Sequence, residues 1–252
     1  MSEGPRLPDG LPEPTWKDEE FGIALYRGDC LDILPTLPDG CVDAVVTDPP
    51  FGIGFKYESH DDDPESYGNM MRSWLSMVNA RVFVVWQAML KCDRWHEWFP
   101  NGHRLFAAAK GFVQFRPTPV QYSWDPVVFW GDPATDPSVL RKDFHEQRLA
   151  PFGAGRARIE HPCPRPLEQV EVVIDTFTKQ SDLILDPFMG SGTTIVASVR
   201  LGRAAIGIEL EPKYFDIAVD RIRNEIINHQ GGPMFAKHEP ATLFTEQADG
   251  ES

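Results

Sequence analysis

The sequence has no apolar run approaching the length that crosses a bilayer, so no membrane span is expected among its 252 residues. Its polar, proline-containing start is unlike a secretory leader. Cysteine is scarce: Cys30, Cys41, Cys92 and Cys163 stand far apart, and no two form a C-x-x-C pair. That spacing argues against a disulfide framework or a zinc ribbon and fits reduced thiols in a cytoplasmic protein; no metal site is expected. Positive charge is also in short supply. With 24 basic against 38 acidic residues the formal charge is −14, which disfavours unspecific attraction to nucleic acid. The deficit is uneven, because residues 91–165 hold 11 basic and 8 acidic side chains. Phosphate contacts therefore belong to the middle of the chain. No internal repeat is present.

What remains is enough for one sizeable α/β domain, with a hydrophobic fraction of 42% that is ordinary for a globular protein. Residues 1–20 are rich in Pro, Glu and Asp and lack periodicity, so they read as a flexible arm; residues 231–252 read as a flexible tail. Between them, residues 21–230 form the expected domain. Strands are expected at 23–30, 42–47, 81–86, 104–109, 127–130, 183–186 and 204–209. Helices are expected at 66–79, 87–99, from about 166 to 178, after Gly192, and from Pro212 to about His229. The polar segment 56–65, with three successive aspartates, reads as a solvated loop, although its place leaves a flap open as an alternative. Residues 131–159 are the least regular and read as an insertion, mostly loop.

Two stretches carry chemistry. The first is Leu183-Ile-Leu-Asp-Pro-Phe-Met-Gly-Ser-Gly-Thr-Thr194, an apolar strand, an acid, and a glycine-rich turn that opens a helix. Its glycines admit a ligand close to the backbone, and helix N-terminal amides favour anionic groups. Alone, such a turn is as readily plain α/β packing as a binding site. The second is Thr47-Asp-Pro-Pro-Phe-Gly52, where two prolines end a buried strand and fix the direction of Asp48 and Phe51. Alone, it is a rigid turn.

Taken together, and in this order, the two resemble motifs IV and I of the S-adenosylmethionine-dependent amino-methyltransferases of DNA. Arg27-Gly-Asp-Cys-Leu31 resembles the family's opening. His161-Pro-Cys-Pro-Arg-Pro166 resembles the segment ahead of its cofactor loop, keeping a positive charge at Arg165 but lacking a Thr hydroxyl. Gly207-Ile-Glu-Leu-Glu-Pro-Lys-Tyr214 resembles the strand and helix that follow. The acidic proline motif preceding the cofactor loop is the permuted order called the β group. The resemblance implies a Rossmann-like, mostly parallel seven-stranded sheet with helices on both faces. It also implies that the strands ending in Asp48 and Asp186 lie side by side at a switch in strand order.

The same resemblance implies the roles. Asp48, Pro49, Pro50 and Phe51 would form the catalytic turn. The Asp48 carboxylate and the Pro49 carbonyl would accept the N–H bonds of an exocyclic base amine, and Phe51 would stack on a base turned out of the duplex. The cofactor would be lined by Asp186, Pro187 and Phe188, then by Gly190, Ser191, Gly192, Thr193 and Thr194. Asp48, His161 and Arg165 would border it, Glu209 with Leu210 would hold its ribose, and Asp29 with Cys30 would reach its adenine. A solvent-exposed strand-end acid is the lesser alternative for Asp29. An Asp at the first motif position favours adenine N6 over cytosine N4, the nearest alternative. Double-stranded DNA would be the partner, contacted by Arg141, Lys142, Arg148, Arg156 and Arg158 of the insertion, which are otherwise ordinary loop cations. Its shortness and the acidic overall charge suggest a short or relaxed recognition sequence or help from a specificity subunit, and a phage-type or solitary enzyme rather than a large restriction-modification one; the resemblance leaves a homodimer open. An RNA or protein-amide methyltransferase would carry these motifs in the opposite order. An inactive methylase fold that binds DNA or a partner, or mimics nucleic acid, is the rival outside enzymology.

Overall fold

The computed structural model describes residues 5–52, 66–110, 123–133, 142–146 and 165–231. In chain order these residues form β1 (Trp16–Asp18), β2 (Ile23–Arg27), α1 (Cys30–Ile33), β3 (Ala44–Thr47), α2 (Tyr67–Ser76), β4 (Val82–Trp86), β5 (Arg104–Ala109), β6 (Trp124–Gly131) and β7 (Phe144–Glu146). They continue with α3 (Leu167–Phe177), β8 (Leu183–Asp186), α4 (Thr193–Leu201), β9 (Ala204–Glu209) and α5 (Pro212–Gly231). All nine strands join one sheet in the order β1-β2-β9-β8-β3-β4-β6-β5-β7.

The middle strands are unbroken apolar runs: every residue of β3, β4, β8 and β9 is buried. Such runs, without alternation, belong to a sheet covered on both faces. Successive side chains supply two cores. Val46, Val84, Ile184 and Ala205 pack under α3, α4 and α5, joined by Val173, Ile195 and Ala218. Val45, Val85, Leu185 and Ile206 pack on the other face with Met71 and Trp74 of α2. The pairings β2–β9, β9–β8, β8–β3 and β3–β4 are parallel, whereas β6 runs antiparallel to both β4 and β5.

Seven of the nine strands are those expected. The two extra ones are three-residue strands at the sheet edges, where sequence signals are weakest. Trp16–Asp18, expected within an unstructured arm, pairs antiparallel with β2, and the Arg223 guanidinium sits 5.7 Å from the Trp16 ring centre. The Tyr26 hydroxyl donates to the Pro12 carbonyl at 2.8 Å and fastens the preceding residues as well. β7, inside the insertion read as loop, pairs parallel with β5. A third difference concerns residues 87–99. There the chain winds as a tighter 3₁₀ helix over Met89–Glu97 rather than an α-helix. Side chains three apart eclipse in such a helix. Trp95 and Trp98 thus both enter the core while Arg94 and Glu97 pair outside, Nε to Oε1 at 3.0 Å. Among the described residues no helix is long and apolar enough to cross a membrane.

The strand order places the two chemical stretches. From β8 the chain crosses through α4 to β9 on one side; from β3 it crosses through α2 to β4 on the other. The switch in direction therefore falls between β8 and β3, and the loops leaving their carboxyl ends flank the crevice where such sheets bind ligands.

Candidate active site

β3 and β8 lie in register with Ala44 opposite Ile184 and Val45 opposite Leu185. At their carboxyl ends the buried Thr47 hydroxyl donates to Asp186 Oδ1 at 2.6 Å. This bond, between residues 139 apart in sequence, locks the two turns together. Beyond Thr47, Asp48 is partly exposed and Pro49 is buried. The turn then reaches Gly52, whose φ of 63° and position against Tyr67 (a Cβ there would lie 2.6 Å from Cγ) require glycine. Tyr67 in turn donates its hydroxyl to Gln87 Oε1 at 3.0 Å, so the turn rests on a ring fastened to the end of β4.

The Asp186 loop is fixed from three directions. Its carboxylate accepts from the Phe188 amide at 3.1 Å as well as from Thr47. Burial pushes the Asp186 carboxyl up to about 6, against the opposing pull of hydrogen bonds from Thr47, Thr194 and the Phe188 amide. Gly190 N–H donates to Glu209 Oε2 at 2.8 Å. Gly192, at φ 80°, caps α4 so close to α5 that a Cβ would lie 2.9 Å from the Ala218 Cβ. Arg221 of α5 donates to Ser191 Oγ at 2.9 Å and to the Ser191 carbonyl, clamping the turn from behind. Ser191, Thr193 and Thr194 are buried, and Phe188 stands edge-on to Trp74 with ring centres 5.7 Å apart.

Glu209 ends β9, beside Arg27 at the end of β2. Its Oε1 accepts from the Glu211 amide at 2.8 Å, so each carboxylate oxygen already takes one backbone donor. Burial, the dominant influence, pushes this carboxyl up to about 7 despite those two bonds. The ordinary carboxyl value lies lower, so the fold favours the protonated form. The stability this group contributes is fully present below about 4.5, its value in the unfolded chain, and is lost as pH rises through about 7. Leu210 beside it is exposed. Asp29, exposed at the end of β2, caps α1 by accepting from the Leu31 amide at 2.9 Å. Cys30, expected at the same ligand, has its side chain in the core under α1, and burial pushes its thiol up to about 12. Its sulfur is therefore packing, not a ligand group.

Arg165 lies just before α3. Expected to border the cofactor together with Asp48, it meets that residue with two guanidinium nitrogens, Nε to Oδ2 at 2.6 Å and Nη2 to Oδ1 at 3.0 Å. Its third nitrogen donates to Asp125 Oδ2, and Lys110 Nζ reaches Asp125 Oδ1 at 2.7 Å. The guanidinium carbon lies 5.7 Å from the ring centres of both Phe51 and Trp86. Asp125 opens β6 and Lys110 follows β5, so this row of alternating charges runs along the same sheet edge as Asp48. Sequence reading missed Thr47, Tyr67, Gln87, Lys110, Asp125 and Arg221. Of these only Thr47, adjoining a recognised motif, carried any local signal. Lys142 is exposed ahead of β7, whereas Arg141, Arg148, Arg156, Arg158 and His161 lie outside the described residues.

Known proteins resemble the chain in sequence and in fold. A family model of N6/N4 methylases, described as DNA methylase, matches residues 116–220. The type II methyltransferase M.ScaI of Streptomyces caespitosus is 27% identical over 259 residues, covering 82% of this chain and 83% of the relative. Among solved structures, the M1.HpyAVI–SAM complex superposes with a TM-score of 0.63 at 24% identity, covering 79% of this chain and 98% of that one. The cytosine-N4-specific PvuII DNA methyltransferase does so with a TM-score of 0.61 at 19% identity, covering 87% and 96%.

Proposed function

We propose that the chain, which resembles the N6/N4 S-adenosylmethionine-dependent DNA amino-methyltransferases, methylates the exocyclic N6 of adenine in double-stranded DNA. The observation that carries the reading is the Asp48 turn held against the Asp186 loop by the Thr47–Asp186 bond at the switch in strand order. An acid that can accept amine hydrogens thus stands beside a glycine-rich loop.

The residues present fit the cofactor. A carboxylate offers about four acceptor sites. Glu209 therefore retains capacity for ribose hydroxyls after binding the Gly190 and Glu211 amides, and Asp29 retains it for an amino group after binding the Leu31 amide. Exposed Leu210 offers apolar cover beside them. When bound, S-adenosylmethionine supplies a methyl group on an electron-poor sulfonium. The chain's own work is positioning. An exocyclic amine is a poor nucleophile because its lone pair is delocalised into the ring. Asp48 and the Pro49 carbonyl accept its two N–H bonds and draw the nitrogen toward tetrahedral geometry, while Phe51 offers a face to the unstacked base. The Asp at position 48, where the resemblance associates Asp with adenine, supports N6 over cytosine N4.

The test is transfer of labelled methyl from S-adenosylmethionine to mixed-sequence duplex DNA, followed by nucleoside digestion and mass analysis. N6-methyladenine is expected. N4-methylcytosine would keep the positioning chemistry and overturn the base. A chain that binds no cofactor would sink the enzyme reading in favour of an inactive DNA- or partner-binding fold.

A pH effect follows from the two raised acids. Hydroxyl donors bind an ionised carboxylate more strongly than a neutral acid, and Glu209 ionises through about 7. Cofactor affinity measured by calorimetry should therefore rise from pH 6 to pH 8, and Glu209→Gln should both weaken binding and flatten that rise. A flat profile in the unaltered protein would separate Glu209 from the ribose.

A further inference from the structure

The row of charges at the carboxyl edge of the sheet has a shape that binding the cofactor does not require. One guanidinium grips both oxygens of Asp48, and its remaining nitrogen is held by Asp125, itself held by Lys110. Two acids and two bases sum to zero, so the row is neutral in a partly buried setting where an unpaired charge would be costly. The rings of Phe51 and Trp86 both stand 5.7 Å from the guanidinium carbon and limit its movement.

We propose that Arg165 is a positioning residue for methyl transfer: seated by Asp125, it fixes the orientation of the Asp48 carboxylate while leaving that group's remaining acceptor sites to the target amine. This rests on the reading of Asp48 as the amine acceptor. The geometry explains why arginine stands here. Each carboxylate oxygen has two lone pairs, and the fork of the guanidinium uses one on each. Asp48 can then neither rotate nor swing away, yet one acceptor direction per oxygen stays free. Lysine would place a point charge on a flexible stem and could not hold two oxygens of Asp48 and one of Asp125 in a single plane. Asp125 acts only through Arg165. Lys110 occupies the Asp125 oxygen that Arg165 does not use, so Asp125 presents a single oxygen to the guanidinium and fixes its plane.

The test compares the unaltered protein with Arg165→Lys, Arg165→Met, Asp125→Asn and the Arg165→Lys/Asp125→Asn pair. Single-turnover methyl transfer at saturating DNA and cofactor is read beside cofactor affinity by calorimetry and folding by circular dichroism. The rate is expected to fall about a hundredfold in Arg165→Met, with part of the loss restored in Arg165→Lys, while cofactor affinity stays within about threefold. Asp125→Asn should lower the rate about tenfold, and the double variant should be no worse than Arg165→Lys alone, because the two act as one unit. Three outcomes would overturn the proposal. A loss confined to cofactor affinity would make Arg165 a cofactor ligand. A faster rate in Arg165→Lys would make the pair an inhibitory latch. Additive losses in the double variant would detach Asp125 from Arg165. An Asp48→Ala variant that still methylates DNA would instead sink the underlying reading of Asp48, whatever the Arg165 variants do.

Discussion

Asp48→Asn is expected to lower the methyl-transfer rate by about a thousandfold while leaving the cofactor bound. The substitution keeps the size and shape of the side chain but replaces one acceptor oxygen by a donor. Arg165 donates to both oxygens, so that NH2 faces a guanidinium donor whichever way the amide turns, one contact becomes repulsive, and an acceptor for the base amine, itself a donor, is lost. Losing a group that is aimed at a reacting centre costs about a hundred- to thousandfold in rate, and here its mooring is lost as well. The measurement is single-turnover transfer at saturating DNA, with cofactor affinity determined separately. Thr47 and the Asp186 loop, which shape the cofactor side, are untouched, so that affinity should change by less than about threefold. An Asn variant within tenfold of the unaltered rate would remove Asp48 from the chemistry.

The second large effect lies at the opposite edge of the sheet. Asp182 is fully buried at the start of β8, and its Oδ2 accepts from Arg81 Nη2 at 2.5 Å and from the Lys179 amide at 3.0 Å. Arg81 also donates to the Asp132 carbonyl, and its own amide joins that of Val82 at the Asp43 carbonyl. Asp43 Oδ2 then accepts from the Leu183 amide at 2.9 Å. Arg81 and Asp43 together thus tie the amino ends of β3, β4 and β8. Arg81→Met would leave a buried carboxylate without its countercharge, a loss that typically costs 3–5 kcal/mol; the lower end, about 3 kcal/mol, is expected because Arg81 keeps one face in water. At this chain length that corresponds to a fall in Tm of about 10 °C. The urea midpoint and Tm should drop while methyl transfer at low temperature persists, since the pair is remote from the Asp48 turn. A variant of unchanged stability would show the pair to be energetically idle.

These two sites divide what the sequence disclosed from what it withheld. Val42–Thr47 and Leu183–Asp186 announced themselves as buried strands because their apolar runs are continuous. The prolines at 49 and 50 and the glycines at 190 and 192 marked where those strands turn into loops. Glu209 was visible because it closes another such run. Local pattern therefore carried the central sheet and the acids at its edge. It could not carry Arg165–Asp48, Arg165–Asp125 or Arg81–Asp182, whose partners lie 117, 40 and 101 residues apart. Nothing in the neighbourhood of an isolated Asp-Pro such as Asp125-Pro126 tells which cation will meet it. β1 was hidden for a different reason. Three residues among prolines and acids have no period to read, and they form a strand only because β2 offers an open edge.

The neighbours of β8 also dictate the order in which the protein can be completed. β2 and β3 are both made early, yet they never touch; β9 and β8 stand between them. As the chain emerges from the ribosome, each early strand carries a bare flank until Leu183–Glu209 arrives to fill the gap. The crevice between β8 and β3 lies along that closing seam, so a truncated product cannot hold a partial site. Pairing strands so distant in sequence is slow, and unpaired flanks invite association with other chains. The same strand order that brings two distant stretches of the sequence to one crevice makes the nascent protein dependent on finishing before it meets a copy of itself.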